Sequence, residues 1–242
     1  MNITVINRFA RKFLTKYKQI IEMSNVRMNG TLTFIDEGNS AFKLSQPIEL
    51  INVPLRGNGR KKRFLYIFIS CQGEKQDEGI TRYTTRVSYA QPKAMAEPKL
   101  INLVKGMHYD FCTVGQTLHP IYHMQHDIET LREHISGDGN FEIVNDEYIN
   151  QYKSMSNIRG LRIPTSHVDV FSILLMILSD HIIDSDDDSR VKKYRELLEF
   201  TSTELPVKTL INKESGLLEA SLLNDSNHNH HSLNWYCHIR QS

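Results

Sequence analysis

The segment from Arg63 to Ser70, with the sequence RFLYIFIS, is apolar at odd and even positions alike. Successive side chains of a β-strand point to opposite faces, so a strand of this composition exposes apolar surface unless both of its faces are covered. The segment therefore predicts a central strand with material packed on each side of the sheet. It excludes a sheet that is open to water on one face at this position.

Other short segments with apolar or alternating patterns predict further strands of the same sheet. They span Thr31 to Ile35, Phe42 to Leu44, Ile48 to Val53, Phe64 to Cys71, Ile80 to Tyr89, Leu100 to Val104, Met107 to Thr113 and Ile121 to His126. Because Thr81 to Tyr89 alternates polar and apolar residues, we expect one of its faces to be exposed. Residues 73–79 are polar and begin and end with glycine, which predicts a loop between two strands. Together these segments predict a mostly antiparallel sheet.

Helical periodicity marks the chain before and after these strands. From Ile6 to Ile21, apolar residues recur at the spacing of an amphipathic helix, with arginines and lysines between them. Towards the C-terminus the pattern predicts helices over Ile128 to Ile135, Asp146 to Met155, Val168 to Ile183 and Ser189 to Phe200. Ser166 is placed to cap the third of these helices. Leu233 to Arg240 predicts a last strand that returns to the sheet.

These elements predict an α+β fold in a single domain over residues 1–242. Its parts are an N-terminal amphipathic helix in residues 1–25, a sheet-rich part in 30–126, a helical part in 127–225 packed on one face of the sheet, and a returning strand in 232–240. A chain of this length can bury a sizeable core, so its size alone requires neither a metal nor a disulfide.

Charge and cysteine content restrict the compartment and the partners. The 29 basic and 28 acidic side chains nearly cancel, so no global field attracts the chain to nucleic acid or to an anionic membrane. The three cysteines are widely spaced and form no Cys-x-x-Cys pair. This pattern disfavours a disulfide framework or a cysteine-based zinc site and favours the cytoplasm. The longest apolar stretch, Val168 to Ile183, is interrupted by polar residues, so no membrane span is expected.

Histidines and an aspartate between Met107 and Asp127 are the residues that most suggest chemistry. Four of the eleven histidines lie here, at positions 108, 119, 123 and 126. His108 and Asp110 share one face of a predicted strand, and His123 and Gln125 share one face of the next. If the two strands pair, those four polar groups converge.

Three interpretations of this histidine region remain open. In the first, a divalent metal such as zinc, manganese or iron is bound by His108, His119 and His123 beside Asp110, whereas His126 faces the other side of its strand. In the second, no metal is bound, and His123 is a general acid or base that Asp110 orients. In the third, the same side chains pack the strand pair and bond to neighbouring backbone.

A second feature is a basic, glycine-containing loop ahead of the predicted central strand. Its candidate contacts with phosphate or nucleic acid are Arg60, Lys61, Lys62 and Arg63. The Gly-x-x-x-x-Gly-Lys-Ser/Thr pattern of a P-loop is absent. The simpler alternative is that these basic side chains are only exposed to solvent and bind no ligand.

Three short motifs resemble those of an uncharacterised bacterial protein family of unknown function. They are His108-Tyr-Asp-Phe111, the pattern His119-Pro-x-x-His123-x-Gln125, and Arg162-Ile-Pro164 ahead of an apolar helix, within roughly residues 100–185. Where the family pattern has an aromatic residue and glycines, this chain has His126-Asp127, so we expect a different turn after the motif. The resemblance implies a bacterial cytoplasmic protein from a mobile element or a phage-defence island, encoded beside a protein partner. It implies no reaction.

Two functions remain in view from the sequence. The first is a non-enzymatic subunit of a bacterial defence or toxin-antitoxin-like assembly, which holds its partner through the first helix or through the helices between Val168 and Phe200. The alternative is an enzyme that depends on a divalent metal or on a His/Asp pair and acts on a phosphate-containing or nucleic-acid substrate. In that enzyme, the basic loop from Arg60 to Arg63 would position the substrate.

Overall fold

The computed structural model describes residues 3–55, 63–76, 79–93, 99–112, 122–126, 141–144, 163–164, 169–184 and 187–204. The α-helices of this part of the chain are α1 (Ile3–Ile21), α2 (Val170–Ile177) and α3 (Asp188–Glu204). A turn of 3-10 helix, Glu22–Ser24, follows α1, and a turn of π-helix, Leu178–Ile182, extends α2. The strands are β1 (Arg27–Asn29), β2 (Phe34–Gly38), β3 (Ala41–Leu44), β4 (Ile48–Leu55), β5 (Arg63–Gln76), β6 (Gly79–Pro92), β7 (Lys99–Cys112), β8 (Tyr122–His126), β9 (Phe141–Ile143) and β10 (Ile163–Pro164). The predicted α+β class, with its N-terminal helix, is confirmed.

All of these strands belong to one sheet, with the three long strands β5, β6 and β7 at its centre. The order is β1-β4-β5-β6-β7-β8-β10. The β2-β3 hairpin pairs with the second half of β5, and β9 pairs with the first half of β7. Each described strand pair is antiparallel except β7 with β9, so the predicted, mostly antiparallel sheet is confirmed.

Strand β5 is covered on both faces, as its sequence predicts. Leu65, Ile67 and Ile69 belong to the main hydrophobic core, which includes the helices. Tyr66 and Phe68 belong to a second apolar cluster on the opposite face. All five side chains are at most 3% exposed.

The central strands are longer than the sequence pattern predicts. β5 continues to Gln76 and β6 begins at Gly79, so most of the predicted loop over residues 73–79 is strand. Gly73 marks a close approach of neighbouring strands, because a Cβ atom there would lie 2.5 Å from the Phe42 ring and 2.6 Å from the Arg82 carbonyl oxygen. Gly73 is therefore a residue of strand β5 at a tightly packed position, and not the first residue of a loop.

A β-bulge explains why β7 was predicted as two strands. The register against β6 shifts between Tyr89 and Ala90, where Lys105 and Leu103 are the partners. Val104 is the extra residue and is 37% exposed. A bulge breaks the alternation of side chains without ending the strand, so Lys99–Cys112 is continuous where the sequence pattern shows an interruption.

The helices pack over one face of the sheet and share its main core. The Phe9 ring of α1 stacks on Phe200 of α3 at a centroid distance of 5.2 Å and meets Phe171 of α2 edge-on at 4.9 Å. Asn7 ties α1 to β2, because its side-chain amide donates to the Phe34 carbonyl oxygen at 2.9 Å and accepts from the Phe34 N–H at 2.7 Å. The amphipathic helix is thus docked by aromatic packing and by a two-way hydrogen bond.

The start of α2 is fixed by two side chains. Asp169 is the N-cap and accepts hydrogen bonds from the backbone N–H groups of Phe171 and Ser172. The hydroxyl of Tyr83, from β6, accepts a hydrogen bond from the Val170 N–H at 3.0 Å. The predicted cap, Ser166, is wrong: the N-cap lies three residues later, at Asp169, which accepts from N–H groups in the first turn.

Two further expectations differ from the structure. The face of β6 that was expected to be exposed is largely covered, since Thr84 is 8% and Ser88 is 1% exposed. The region predicted to be helical, residues 127–225, also contributes the short strands β9 and β10 to the sheet.

Other predicted elements are not tested by the described part of the chain. The helices over Ile128 to Ile135 and Asp146 to Met155 and the returning strand lie outside the described residues. None of the described helices combines the length and the apolar character needed to cross a membrane.

Replacing Tyr83 by Phe should destabilise the protein by about 1–3 kcal/mol, because the buried Val170 N–H loses its acceptor. The matched control is Tyr17→Phe. The Tyr17 hydroxyl is equally buried but has no hydrogen-bond partner in the part of the chain that the structure describes, so its loss should cost little. Chemical denaturation of both variants measures the difference, and equal losses of stability would contradict the assignment.

Candidate metal centre

The pairing of β7 with β8 brings the sequence-predicted histidine and aspartate side chains together. Asp110 lies directly opposite His123, and His108 lies directly opposite Gln125. Residues directly opposite each other in an antiparallel pair share a face, with Cβ atoms about 5 Å apart. The predicted convergence of these four polar groups is confirmed.

Three of these side chains have ligand atoms close enough to hold one metal ion. Asp110 Oδ2 lies 3.3 Å from His108 Nε2 and 3.5 Å from His123 Nε2. The three residues offer ligand atoms that all lie within 4.8 Å of one another, and the two imidazole rings stand almost perpendicular, at 82°. Both histidines thus approach the same carboxylate oxygen.

The distances from Asp110 Oδ2 to the two imidazoles are compatible with weak hydrogen bonds and with shared ligation of one ion. A good N–H···O bond has its heavy atoms about 2.7–3.2 Å apart, which is shorter than either distance here. Atoms that bind a tetrahedral metal at about 2.0–2.1 Å lie about 3.3–3.4 Å from each other. The two distances of 3.3 and 3.5 Å are close to this ligand spacing, and all three ligand atoms lie within 4.8 Å of one another.

Burial differs among the three side chains in a way that suits a ligand site. The His123 side chain is 1% exposed, whereas those of His108 and Asp110 are 16% and 23% exposed. Asp110 Oδ1 is buried and accepts no hydrogen bond from any residue that the structure describes. A buried carboxylate oxygen without a donor is costly, and a cation bound to the same carboxylate is one way to offset that cost.

The cluster lies in two adjacent rows of polar side chains that cross the sheet, here called the polar rows. Strand pairing gives their members, which are Gln72, Thr84, Asp110 and His123 in one row and Ser70, Arg86, His108 and Gln125 in the other. The rows lie on the face opposite the helices. Beyond them on that face is the apolar cluster that contains Tyr66, Phe68 and Phe141.

Arg86 is the residue near the cluster that sequence reasoning missed. It was visible only as one polar member of an alternating strand, Thr81 to Tyr89. The register of β6 against β7, which no local pattern reveals, puts it directly opposite His108. The one sequence signal that points to it is the set of polar residues at positions 84, 86 and 88, which share one face of that strand.

His126 is separate from the cluster, as the strand alternation predicts. It lies opposite Met107, whose side chain belongs to the core on the helix-facing side of the sheet. Burial lowers the pKa of the His126 imidazole, and the nearby Lys105 ammonium lowers it further, while a hydrogen bond with the Gly106 backbone acts in the opposite direction. The positive charge of Lys105 also disfavours the binding of a metal ion at His126.

Of the remaining sequence-predicted site residues, only Arg63 lies in the described part of the chain. His119 and the loop residues Arg60, Lys61 and Lys62 lie outside the described residues. Arg63 begins β5, seven residues before Ser70 of the polar rows. At about 3.3 Å per residue, that separation along the strand is about 23 Å.

Comparisons of this chain with protein-family models, with curated proteins and with solved structures give no match. The resemblance to an uncharacterised bacterial family is therefore neither supported nor contradicted by these comparisons, and it stays a prediction.

The lowered pKa of His126 makes stability depend on pH in a defined direction. An unfolded histidine has a pKa of about 6.5, so the unfolded state binds the proton first as pH falls. The contribution of His126 is therefore complete above pH about 6.5 and is lost as pH falls through the lower, folded-state pKa. We expect wild type to lose more stability than His126→Gln between about pH 7.5 and 5.5. Urea unfolding at several pH values measures this, and parallel pH curves would contradict it.

Proposed function

We propose that His108, Asp110 and His123 bind a divalent metal ion, and that the protein is a metal-dependent enzyme acting on a phosphate-containing substrate. The observation that carries the proposal is the convergence of three ligand atoms within 4.8 Å on one sheet face. The 16% and 23% exposure of the His108 and Asp110 side chains leaves a route for a substrate to reach the site.

The donor set narrows the metals that fit. Two imidazole nitrogens and one carboxylate oxygen suit zinc, and the same combination with open coordination positions suits iron(II). Magnesium and calcium prefer sets made of oxygen atoms and fit less well. Three protein ligands leave at least one coordination position for a substrate or for water, as in catalytic sites.

Each residue has a distinct part in such a site. A divalent ion with an open position acts as a Lewis acid towards a substrate oxygen and favours hydrolysis. Asp110 supplies the negative charge that offsets part of the charge of the ion. His123, buried at 1% exposure, fixes the ion against the sheet, while the more exposed His108 completes the binding geometry from the same strand as Asp110.

A metal-free His/Asp site is the second candidate, and one contact favours it. Asp110 Oδ2 lies 3.5 Å from His123 Nε2, close enough to orient the imidazole as a general acid or base once the contact shortens on substrate binding. The two candidates differ in their need for metal. A metal-free site keeps its structure and its chemistry in the presence of a chelator.

The non-enzymatic subunit of a bacterial defence assembly stays a prediction. It rests on the family resemblance and on the helices that would hold a partner. Metal binding at the sheet does not contradict it, because a metal ion can also have a purely structural role.

We expect the untagged protein to bind about one zinc ion, and Asp110→Asn to lose it, because an amide provides no charge to offset the cation. Asp110→Asn preserves the shape of the side chain. Elemental mass spectrometry after exhaustive dialysis measures the metal content. The chain also carries His228, His230 and His231, so all variants should be made with these three replaced by Gln to remove adventitious binding.

The matched control is His126→Gln, which removes an imidazole from the other face of β8 and should retain the metal. Thermal unfolding supplies a second readout. Zinc should stabilise wild type and His126→Gln by about 2.7 kcal/mol at a free concentration of 100 times the dissociation constant, and should leave Asp110→Asn unchanged. A folded wild type without bound metal would exclude this function and favour the metal-free site.

A further inference from the structure

We infer that Arg86 binds the anionic group of the substrate at this centre and that this group is a phosphate monoester. The inference rests on the proposed function and names a residue and a substrate class for the same site. It differs from the sequence-based expectation, in which the basic loop before β5 positions the substrate.

Arg86 lies beside the proposed metal ligands on the same face of the sheet. It is the direct cross-strand neighbour of His108, so the Cβ atoms of the two residues are about 5 Å apart. The Arg86 side chain is half-buried, which holds its stem against the sheet. A guanidinium has a fixed fork of N–H donors that matches two oxygens of one phosphate.

The Arg86 guanidinium is not used to neutralise the carboxylate of the cluster. Asp110 lies in the neighbouring polar row, opposite Thr84, and its ion-pair contacts within the described residues are with the two histidines. No ion pair joins Arg86 to a carboxylate in the described part of the chain. Within the described residues, its positive charge is therefore not committed to a carboxylate.

The charge of the loaded site suits a dianion. Arg86 and Asp110 are the charged side chains in the described polar rows, and histidines that bind a metal are neutral. With a divalent ion, the net charge is about +2. A phosphate monoester carries about −1.5 to −2 at pH 7, whereas a phosphodiester or a carboxylate carries about −1.

Ser88 is a second polar residue beside Arg86, and its hydroxyl has no hydrogen-bond partner among the described residues. It is on the same face of β6, two residues from Arg86, and lies between Phe68 of β5 and Gly106 of β7. Its side chain is 1% exposed, and its Oγ atom has no hydrogen-bond partner in the part of the chain that the structure describes. A hydroxyl in this position can donate to a phosphate oxygen.

The test is anion binding by the cobalt(II)-loaded protein, because cobalt(II) reports changes in its coordination through its visible absorption. Inorganic phosphate should change the wild-type spectrum saturably. Arg86→Gln should bind cobalt with unchanged stoichiometry but phosphate about tenfold more weakly or worse, and Arg86→Lys should be intermediate because it keeps the charge and loses the fork. Arg8→Gln, an equal change of charge on an exposed position of α1, is the control.

Substrate class is tested by the choice of anion. Phosphate should bind at least about tenfold more tightly than diethyl phosphate or acetate, because each of these carries a single negative charge. Equal affinity for the three anions would overturn the assignment of a phosphate monoester. Ser88→Ala should weaken phosphate binding without lowering stability, since the hydroxyl it removes has no partner among the described residues.

Two results would overturn the role of Arg86. One is unchanged phosphate affinity in Arg86→Gln. The other is loss of phosphate affinity only when Arg60, Lys61, Lys62 and Arg63 are replaced together by Gln, which would return the role to the basic loop. A failure of the proposed function is distinguished by the metal itself, because the wild-type protein would then bind no cobalt. In that case the role of Arg86 at a metal centre would fail as well.

Discussion

The antiparallel register of β5, β6 and β7 is the constraint on which the rest of the structure depends. A slip of one residue would move every side chain of a strand to the other face. In the observed register, Ile67, Ile69 and Val87 lie in the core beneath the helices. The same register aligns Arg86 with His108 and Thr84 with Asp110. Core packing and the candidate site are thus set by one set of strand pairs, and the apolar residues that fix the register also fix the polar rows.

The face opposite the helices has two halves with different roles. Near the start of β7 it carries the second apolar cluster, in which Tyr66 and Phe68 each meet Phe141 edge-on. Further along the same strands it carries the polar rows. A buried histidine and a half-buried aspartate are costly in such a position unless their charges and hydrogen-bonding groups are satisfied. Their mutual contacts meet part of this requirement, and the proposed cation would meet more of it, which would link the stability of this face to its proposed chemistry.

Sequence reasoning predicted those features that depend on local periodicity. The two apolar faces of β5 predicted a covered central strand, and alternation predicted that His108 and Asp110 share a face and that His126 is excluded from it. Features that depend on long-range register were missed. Arg86 joins the cluster only through the pairing of β6 with β7. The bulge at Val104 hid the continuity of β7, and the capping role of Asp169 depends on where the helix begins.

The central claim is that two imidazoles and one carboxylate bind a single ion. X-ray absorption spectroscopy of the zinc-loaded protein, with His228, His230 and His231 replaced by Gln, tests it most directly. We expect outer-shell scattering from two imidazole rings and a first shell of nitrogen and oxygen at about 2.0–2.1 Å. In His108→Ala, the scattering of one ring should disappear. A first shell of oxygen atoms without imidazole scattering, or a spectrum that His108→Ala leaves unchanged, would contradict it.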